Sequence, residues 1–290
     1  MALASTNLVV PNYSFESPLT FFASPNIDGW SKIPNPGYYV ESGGITWDDT
    51  AGAFLNTPAT ESNHIDNCDG NQAGYLFADP LVTVFKDYES GDWSHTNTPL
   101  HNFPAIYETN KSYKLTMGII GGGGNMLPGV GLQLSLYYLD DATNRIPVAS
   151  NDLVYTPQQF PTRTHFLDCS VEVPAVRPGD PWAGKHIGIK MVSTATLDNQ
   201  GGYWDLDNVR LVATTEAVLC NPAQTNGGFA FTLLSEAGSA YAIQSADALT
   251  NSGAGNWSTT ATITNTTGDF RFFDTSTNAG IRFYRAQRVF

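Results

Sequence analysis

The chain has 290 residues, of which 41% are hydrophobic and only 14% charged, which is enough apolar content for real cores in one large or two ordinary domains. With 14 Lys and Arg against 27 Asp and Glu, the formal charge is −13 at pH 7. That balance excludes nucleic acid and anionic membrane surfaces as partners, since both demand a positive face; it fits oxygen-ligated cations, neutral polymers or plain solubility.

Gly (27) and Pro (17) are abundant, long Ala/Leu/Glu/Lys runs are missing and no amphipathic helix is visible, which together point to an all-β chain. Asn7 to Phe15 reads as a first strand interrupted by Pro11, closing on Glu16. Asp28-Gly29 is a turn that delivers Trp30 into the core. Short strands are expected at Tyr38 to Val40 and Ile45 to Trp47, with Asp48 to Asn63 as loop. Asp69-Gly70 is a turn signal feeding the apolar run to Phe77, and Leu81 to Phe85 continues that theme. Lys86 to Pro104 is a long polar loop carrying Tyr88, Trp93 and Phe103; exposed aromatics among hydrogen-bonding residues mark it as functional.

Lys111 to Ile120 alternates as a strand that the Gly121 to Gly124 run breaks. The run lacks the Lys-Ser/Thr ending of a phosphate loop and no helix pattern follows, so nucleotide binding is rejected. Gly131 to Asp140 places Leu132, Leu134, Leu136 and Tyr138 on one face, and further strands are expected at Ile146 to Ser150, Arg163 to Val173 and His186 to Ser193, with a loop around Trp182.

The stretch Tyr203 to Val212 closes this first unit. Strand alternation puts Asp205, Asp207, Val209 and Leu211 on one side, and Trp204, Leu206, Asn208 and Arg210 on the other. Asp207, next to the apolar end, then needs hydrogen bonds, a basic partner or a metal ion, because burying an unpaired carboxylate is costly; a solvated strand entry is the alternative. The pattern shifts after Ala213, and five or six short strands to Phe290 describe a small second sandwich. The expected domains are therefore 1–213 and 214–290. Cys68, Cys169 and Cys220 have no metal-ligand spacing and are compatible with one disulfide plus a thiol or with three thiols. Met1 to Ser5 has no apolar segment before its Ala2/Ala4 pair, so the chain reads as a mature form, with export an inference.

Pro11 to Glu16, Gly29-Trp30, Asp69 to Ala73, Tyr113 to Gly118 and Asp207-Asn208-Val209 together resemble the galactose-binding-like jelly-roll modules, the fold of many carbohydrate-binding modules. The resemblance spans about the first three quarters of the chain. It implies glycan binding and a structural Ca²⁺ where the first and last strands run together, with Glu16 and Asp207 as side-chain ligands and Asp69 and Asn71 contributing more weakly. Tyr241 to Ser245, Leu249, Trp257, Asp274 and Arg282 to Arg285 resemble a C-terminal β-sandwich of exported proteins from Verrucomicrobia-like bacteria, which implies a secreted or cell-surface location and no particular chemistry; the architecture is that of a small Ig- or fibronectin-like sandwich.

Two strand carboxylates with backbone carbonyls and water suit Ca²⁺, whereas Zn²⁺ wants His or Cys. Sugars are held by flat aromatic faces with amides and carboxylates on the hydroxyls, and Trp47, Trp93 and Trp182, each in or beside a polar loop, with Tyr88 behind them, are the expected platforms. Trp204 is either exposed or packed on the sheet. No Gly-x-Ser-x-Gly elbow and no His-Glu-x-x-His occurs, so non-catalytic carbohydrate binding is the first expectation. A polysaccharide lyase or glycosidase on the same fold, using paired carboxylates, is the second, and a calcium-stabilised adhesive surface protein the third.

Overall fold

The structure is a computed structural model, and residues 5–41, 44–90, 103–225, 227–249, 256–276 and 281–289 are described. It is all-β: a two-sheet antiparallel sandwich followed by a smaller one. The first contains β1 (Ser5–Leu8), β2 (Ala23–Ser24), β3 (Ser31–Lys32), β4 (Ala51–Leu55), β5 (Gln72–Phe77), β6 (Thr83–Lys86), β7 (Lys111–Gly123), β8 (Gly131–Leu139), β9 (Arg145–Val154), β10 (Leu167–Val173), β11 (Gly188–Ser193) and β12 (Tyr203–Thr215). One sheet runs β10-β7-β12-β5-β4-β2, with β1 also on β12; the other runs β3-β6-β11-β8-β9.

The inner faces of these sheets enclose one core, in which Trp30, Trp204, Leu115, Met117, Leu134, Leu136 and Ile189 are buried. Trp30 packs there as the turn before it predicts. The first strand is shorter than expected: β1 ends at Leu8, and residues 11–14 turn, so that Tyr13 O accepts the Val209 amide (2.9 Å). β4 lies inside the stretch read as loop, because Ala51-Gly52-Ala53 offers little β-branched or aromatic signal before Phe54.

β12 departs from simple alternation, and the departure decides where the carboxylates go. Asp207 pairs with Gly118 and Arg210 with Thr116, so three steps on β12 oppose two on β7. The extra residue is a β-bulge at Asn208, whose φ of 52° is the left-handed conformation asparagine tolerates. Before the bulge, Trp204 and Leu206 face the core; after it, Val209, Leu211 and Ala213 do. Asp205 and Asp207 therefore lie on the outer face, opposite to Val209 and Leu211, contrary to the unbroken alternation.

The glycine run extends β7 instead of breaking it, to Gly123. A side chain at Gly121 would collide with the Trp204 ring, so the missing Cβ is what lets the tryptophan pack.

The second sandwich contains β13 (Val218–Thr225), β14 (Gly228–Leu234), β15 (Ser239–Ala246), β16 (Ser258–Asn265), β17 (Asp269–Asp274) and β18 (Phe283–Val289), as sheets β13-β14-β17 and β16-β15-β18. Its own core is Phe231, Leu233, Tyr241, Ile243 and Phe272, and it shares no member with the first. Asp274 joins its strands: Oδ2 accepts from Arg282 (2.9 Å) and Tyr284 (2.7 Å), and Oδ1 accepts the Ser276 amide (2.8 Å). Although burial opposes ionisation, these bonds hold the Asp274 carboxyl well below the usual carboxylate range. Among the described residues the three cysteines are free.

Candidate functional site: an aromatic cleft over Asp205

The outer face of the large sheet carries a cleft of about 630 Å³. Its floor follows from strand register: Asp205 pairs with Tyr75 and Tyr203 with Phe77, so all four side chains, spaced two apart on their strands, share the outward face. One of the rings is seated on a glycine: a Cβ at Gly123 would collide with the Tyr203 ring. At Gly52, opposite Tyr75, a Cβ would meet the Ser24 carbonyl of β2 first, so that glycine lets β2 approach, and only the Tyr75 hydroxyl reaches it, at 2.8 Å. Both rings are half-exposed beside Asp205. Tyr203 and Phe77 are 6.3 Å apart and tilted by 31°.

Asp205 is only 8% exposed. Burial raises its pKa to about 7, so it is substantially protonated near neutrality. Asp49, at the other side of the cleft, behaves oppositely: Oδ2 accepts the Thr46 amide and hydroxyl, both at 2.8 Å, and these bonds lower its pKa. Asn63, Thr57 and Arg163 complete the polar lining, and the Thr57 hydroxyl is buried without a hydrogen-bond partner. A cleft with aromatic faces, a buried carboxyl that is partly protonated near neutrality and a carboxylate that accepts matches a neutral ligand that is both ring-shaped and rich in hydrogen-bonding groups.

The aromatics expected from sequence sit elsewhere. Trp47 is 3% exposed, its Nε1 donates to Ile33 O (2.8 Å) and Tyr39 packs edge-on 5.3 Å away, so it is a core residue and offers no face to a ligand. Trp182 is half-buried against the core. Tyr88 stacks on His186 at 4.0 Å and 7°. Trp93 lies outside the described residues. None of Trp47, Tyr88 and Trp182 lines the cleft. Tyr75, Phe77 and Tyr203 do, and their period-two spacing with Asp205 was the available signal; what hid it was that cross-strand register is not written in the sequence.

The residues expected to hold calcium do come together, in part. Glu16 Oε1 accepts the amides of Asn71 (2.9 Å) and Gln72 (2.7 Å). Asp207 is fully buried; its Oδ2 accepts the Asp69 amide (2.7 Å) and its Oδ1 the Asn208 amide (2.7 Å). Burial first, and then the Asp69 charge, raise the Asp207 pKa to about 7 against those bonds. Tyr13 is pushed up chiefly by Asp69, with Asp207 and Glu16 adding to it. All three carboxylates thus act on Tyr13 at the seam, and Asp69 acts on Asp207. Asn71 meets Glu16 through an N–H, a donor and not an oxygen ligand. Among the described residues no three His, Cys, Asp or Glu side chains form a ready metal cage. A cation here fits only with backbone carbonyls and water added to Glu16, Asp69 and Asp207, as Ca²⁺ with its six to eight oxygens permits.

No protein-family model matches the chain, and no curated protein matches it by sequence. Solved structures do. A cyclase from Fischerella sp. TAU is 20% identical over 74% of this chain and 100% of its own, with a TM-score of 0.51. A cyclase from Fischerella sp. TAU in complex with 4-(1H-indol-3-yl)butan-2-one aligns over 73% of this chain and 100% of its own, again at 20% identity and a TM-score of 0.51. The CBM22-1 xylan-binding domain of Paenibacillus barcinonensis Xyn10C aligns at 12% identity over 75% of this chain and 100% of its own, with a TM-score of 0.37. At such identities the likeness to the cyclase concerns the fold alone, an all-β sandwich.

Proposed function

We propose that the large sandwich binds a carbohydrate in the cleft over Asp205. The observation that carries this reading is the pair of tyrosines beside a buried carboxyl, Tyr203 seated over Gly123 and Tyr75 paired with Asp205: flat faces for sugar C–H surface, with Asp205, Asp49 and Asn63 lining the same cleft to meet hydroxyls. The excess of acidic residues agrees with a neutral glycan partner and not with nucleic acid. Tyr203→Ala is expected to weaken glycan binding by about 1–3 kcal/mol with little loss of fold, as for a central aromatic anchor. Isothermal titration against a panel of neutral oligosaccharides measures this; full affinity in Tyr203→Ala would move the site elsewhere.

A second reading is catalytic. Asp205 and Asp49 line one cleft in environments that push their protonation apart, the pattern of an acid and a base that share a substrate. Release of reducing ends or unsaturated products by the wild type, abolished in both Asp205→Asn and Asp49→Asn, would establish a glycosidase or lyase; binding without turnover would leave a binding module.

We further propose a structural Ca²⁺ at the seam, held by Glu16, Asp69 and Asp207 with backbone and water oxygens. What supports it is the gathering of acid groups there: the charges of Glu16, Asp69 and Asp207 all act on Tyr13, and that of Asp69 on Asp207, whose Oδ2 accepts the Asp69 amide. The ion would offset that repulsion and tie the first segment to the last strand. Chelation is expected to lower the melting temperature, since a ligand of the native state alone stabilises by about 2.7 kcal/mol at a hundredfold excess over its dissociation constant. Asp207→Asn should abolish this response. A melting curve indifferent to Ca²⁺, with no metal by elemental analysis, would leave Glu16 and Asp207 as amide acceptors. Export is part of the same reading and rests on the resemblance of the second sandwich to those of exported proteins; no helix among the described residues is long and apolar enough to cross a membrane.

A further inference from the structure

The cleft changes character along its length. At β12 its floor is Asp205 between Tyr203 and Tyr75, and the register continues from Tyr75 to Gly52 on β4 and from Phe54 to Ala23 on β2. Leu55 ends β4, two strand spacings from β12, and Phe22 adjoins β2, three spacings away, so these side chains stand about 10 and 14 Å from the strand of the acid. This part of the lining is apolar and bare: Phe22, Ile45 and Leu55 line the cleft yet are 85%, 45% and 38% exposed. Phe22 is held in place. Its carbonyl accepts the Leu55 amide (2.8 Å), and two residues earlier the Thr20 amide is bound by the buried Gln72 (2.6 Å). Large apolar side chains scattered singly over a surface need no explanation, but three that line the same ligand cleft, two of them joined through the Leu55 amide and the Phe22 carbonyl, form surface that is left for a partner to cover.

A sugar ring over the two tyrosines spans about one strand spacing and leaves that wall uncovered. A second sugar there would set its hydroxyls against Phe22, Ile45 and Leu55. We propose that the cleft takes a glycoside with an apolar aglycone, the sugar over Tyr75, Tyr203 and Asp205 and the aglycone across Phe22, Ile45 and Leu55. This rests on the carbohydrate reading and names its ligand class.

The test uses matched probes on the full chain: 4-methylumbelliferyl and methyl glycosides of the same neutral sugars, with free 4-methylumbelliferone as the third. The aryl glycoside of any sugar that binds is expected to bind at least tenfold more tightly than its methyl counterpart. Phe22→Ala and Ile45→Ser should each reduce that ratio severalfold; unchanged melting curves serve as the folding control. Equal affinities of the two forms overturn the aglycone arm and leave carbohydrate binding intact. So does a tenfold preference that survives in both variants. Free 4-methylumbelliferone binding as tightly as its glycosides, or no glycoside binding in either form, overturns the proposal together with the carbohydrate reading beneath it.

Discussion

Asp205→Asn is expected to stabilise the large sandwich at pH 8 and to leave its stability at pH 4 almost unchanged. Burial raises the folded pKa to about 7, whereas the carboxyl titrates near 4 in the unfolded chain. Between those values the native state binds more protons than the unfolded state, so stability falls as pH rises through the window and the loss is complete above the folded pKa. For this one carboxyl the loss is about 4 kcal/mol at most. Asparagine keeps the shape and removes the charge, so it escapes the penalty. Thermal melts of both proteins at pH 4, 6 and 8 read the effect, at about 2–4 °C per kcal/mol for a domain of this size. A variant no more stable than the wild type at pH 8 would mean that Asp205 is solvated or paired. The same substitution should weaken ligand binding, because a residue retained at a cost in stability is the expected signature of a functional site.

Gln72→Ala is expected to destabilise the same domain by roughly 3–5 kcal/mol. Gln72 is fully buried; its Nε2 donates to Phe15 O (2.9 Å) and Pro18 O (3.1 Å), and its Oε1 accepts the Thr20 amide (2.6 Å). Truncation leaves those three backbone groups without their partner, and each unsatisfied group costs about 1–3 kcal/mol. Urea denaturation gives the value directly. Because Gln72 anchors the segment that carries Phe22 to the cleft wall, ligand affinity should fall with stability, while Asp274→Ala, in the other sandwich, should leave affinity alone. A loss below about 1 kcal/mol would show that the segment is held by other contacts, such as Glu16 on the Asn71 and Gln72 amides.

Much of this protein is legible without coordinates. Its all-β class follows from glycine, proline and β-branched content with no helical period, and most strand positions follow from alternation: Leu132, Leu134 and Leu136 are core residues for the reason their spacing gives. The turn before Trp30 is equally local. Such features depend on a few consecutive residues, and an unbroken strand shows its two faces in its own alternation. Proximity of Glu16, Asp69 and Asp207 was legible too, through resemblance.

The cleft was not, for three physical reasons. The bulge at Asn208 re-phases β12, so Asp205 and Asp207 face outward while Val209 faces in, and a one-residue shift inverts every face assignment beyond it. Cross-strand register sets Tyr203 over Gly123, a partner some eighty residues away, so that this glycine is a seat for a ring and not a break in a strand. Finally, an aromatic beside a polar loop is a platform or a core member according to what packs on it: Trp47 has Tyr39, Lys32 and the Ile33 carbonyl around it and is core, whereas Tyr203 lies over a glycine with its other face toward the cleft. Local sequence determined the all-β class, most of the strands and the faces of those without a bulge; the pairing of distant strands decided where β12 changes phase and which outward residues meet, because side-chain burial is a property of neighbours brought together by register and not of residue type.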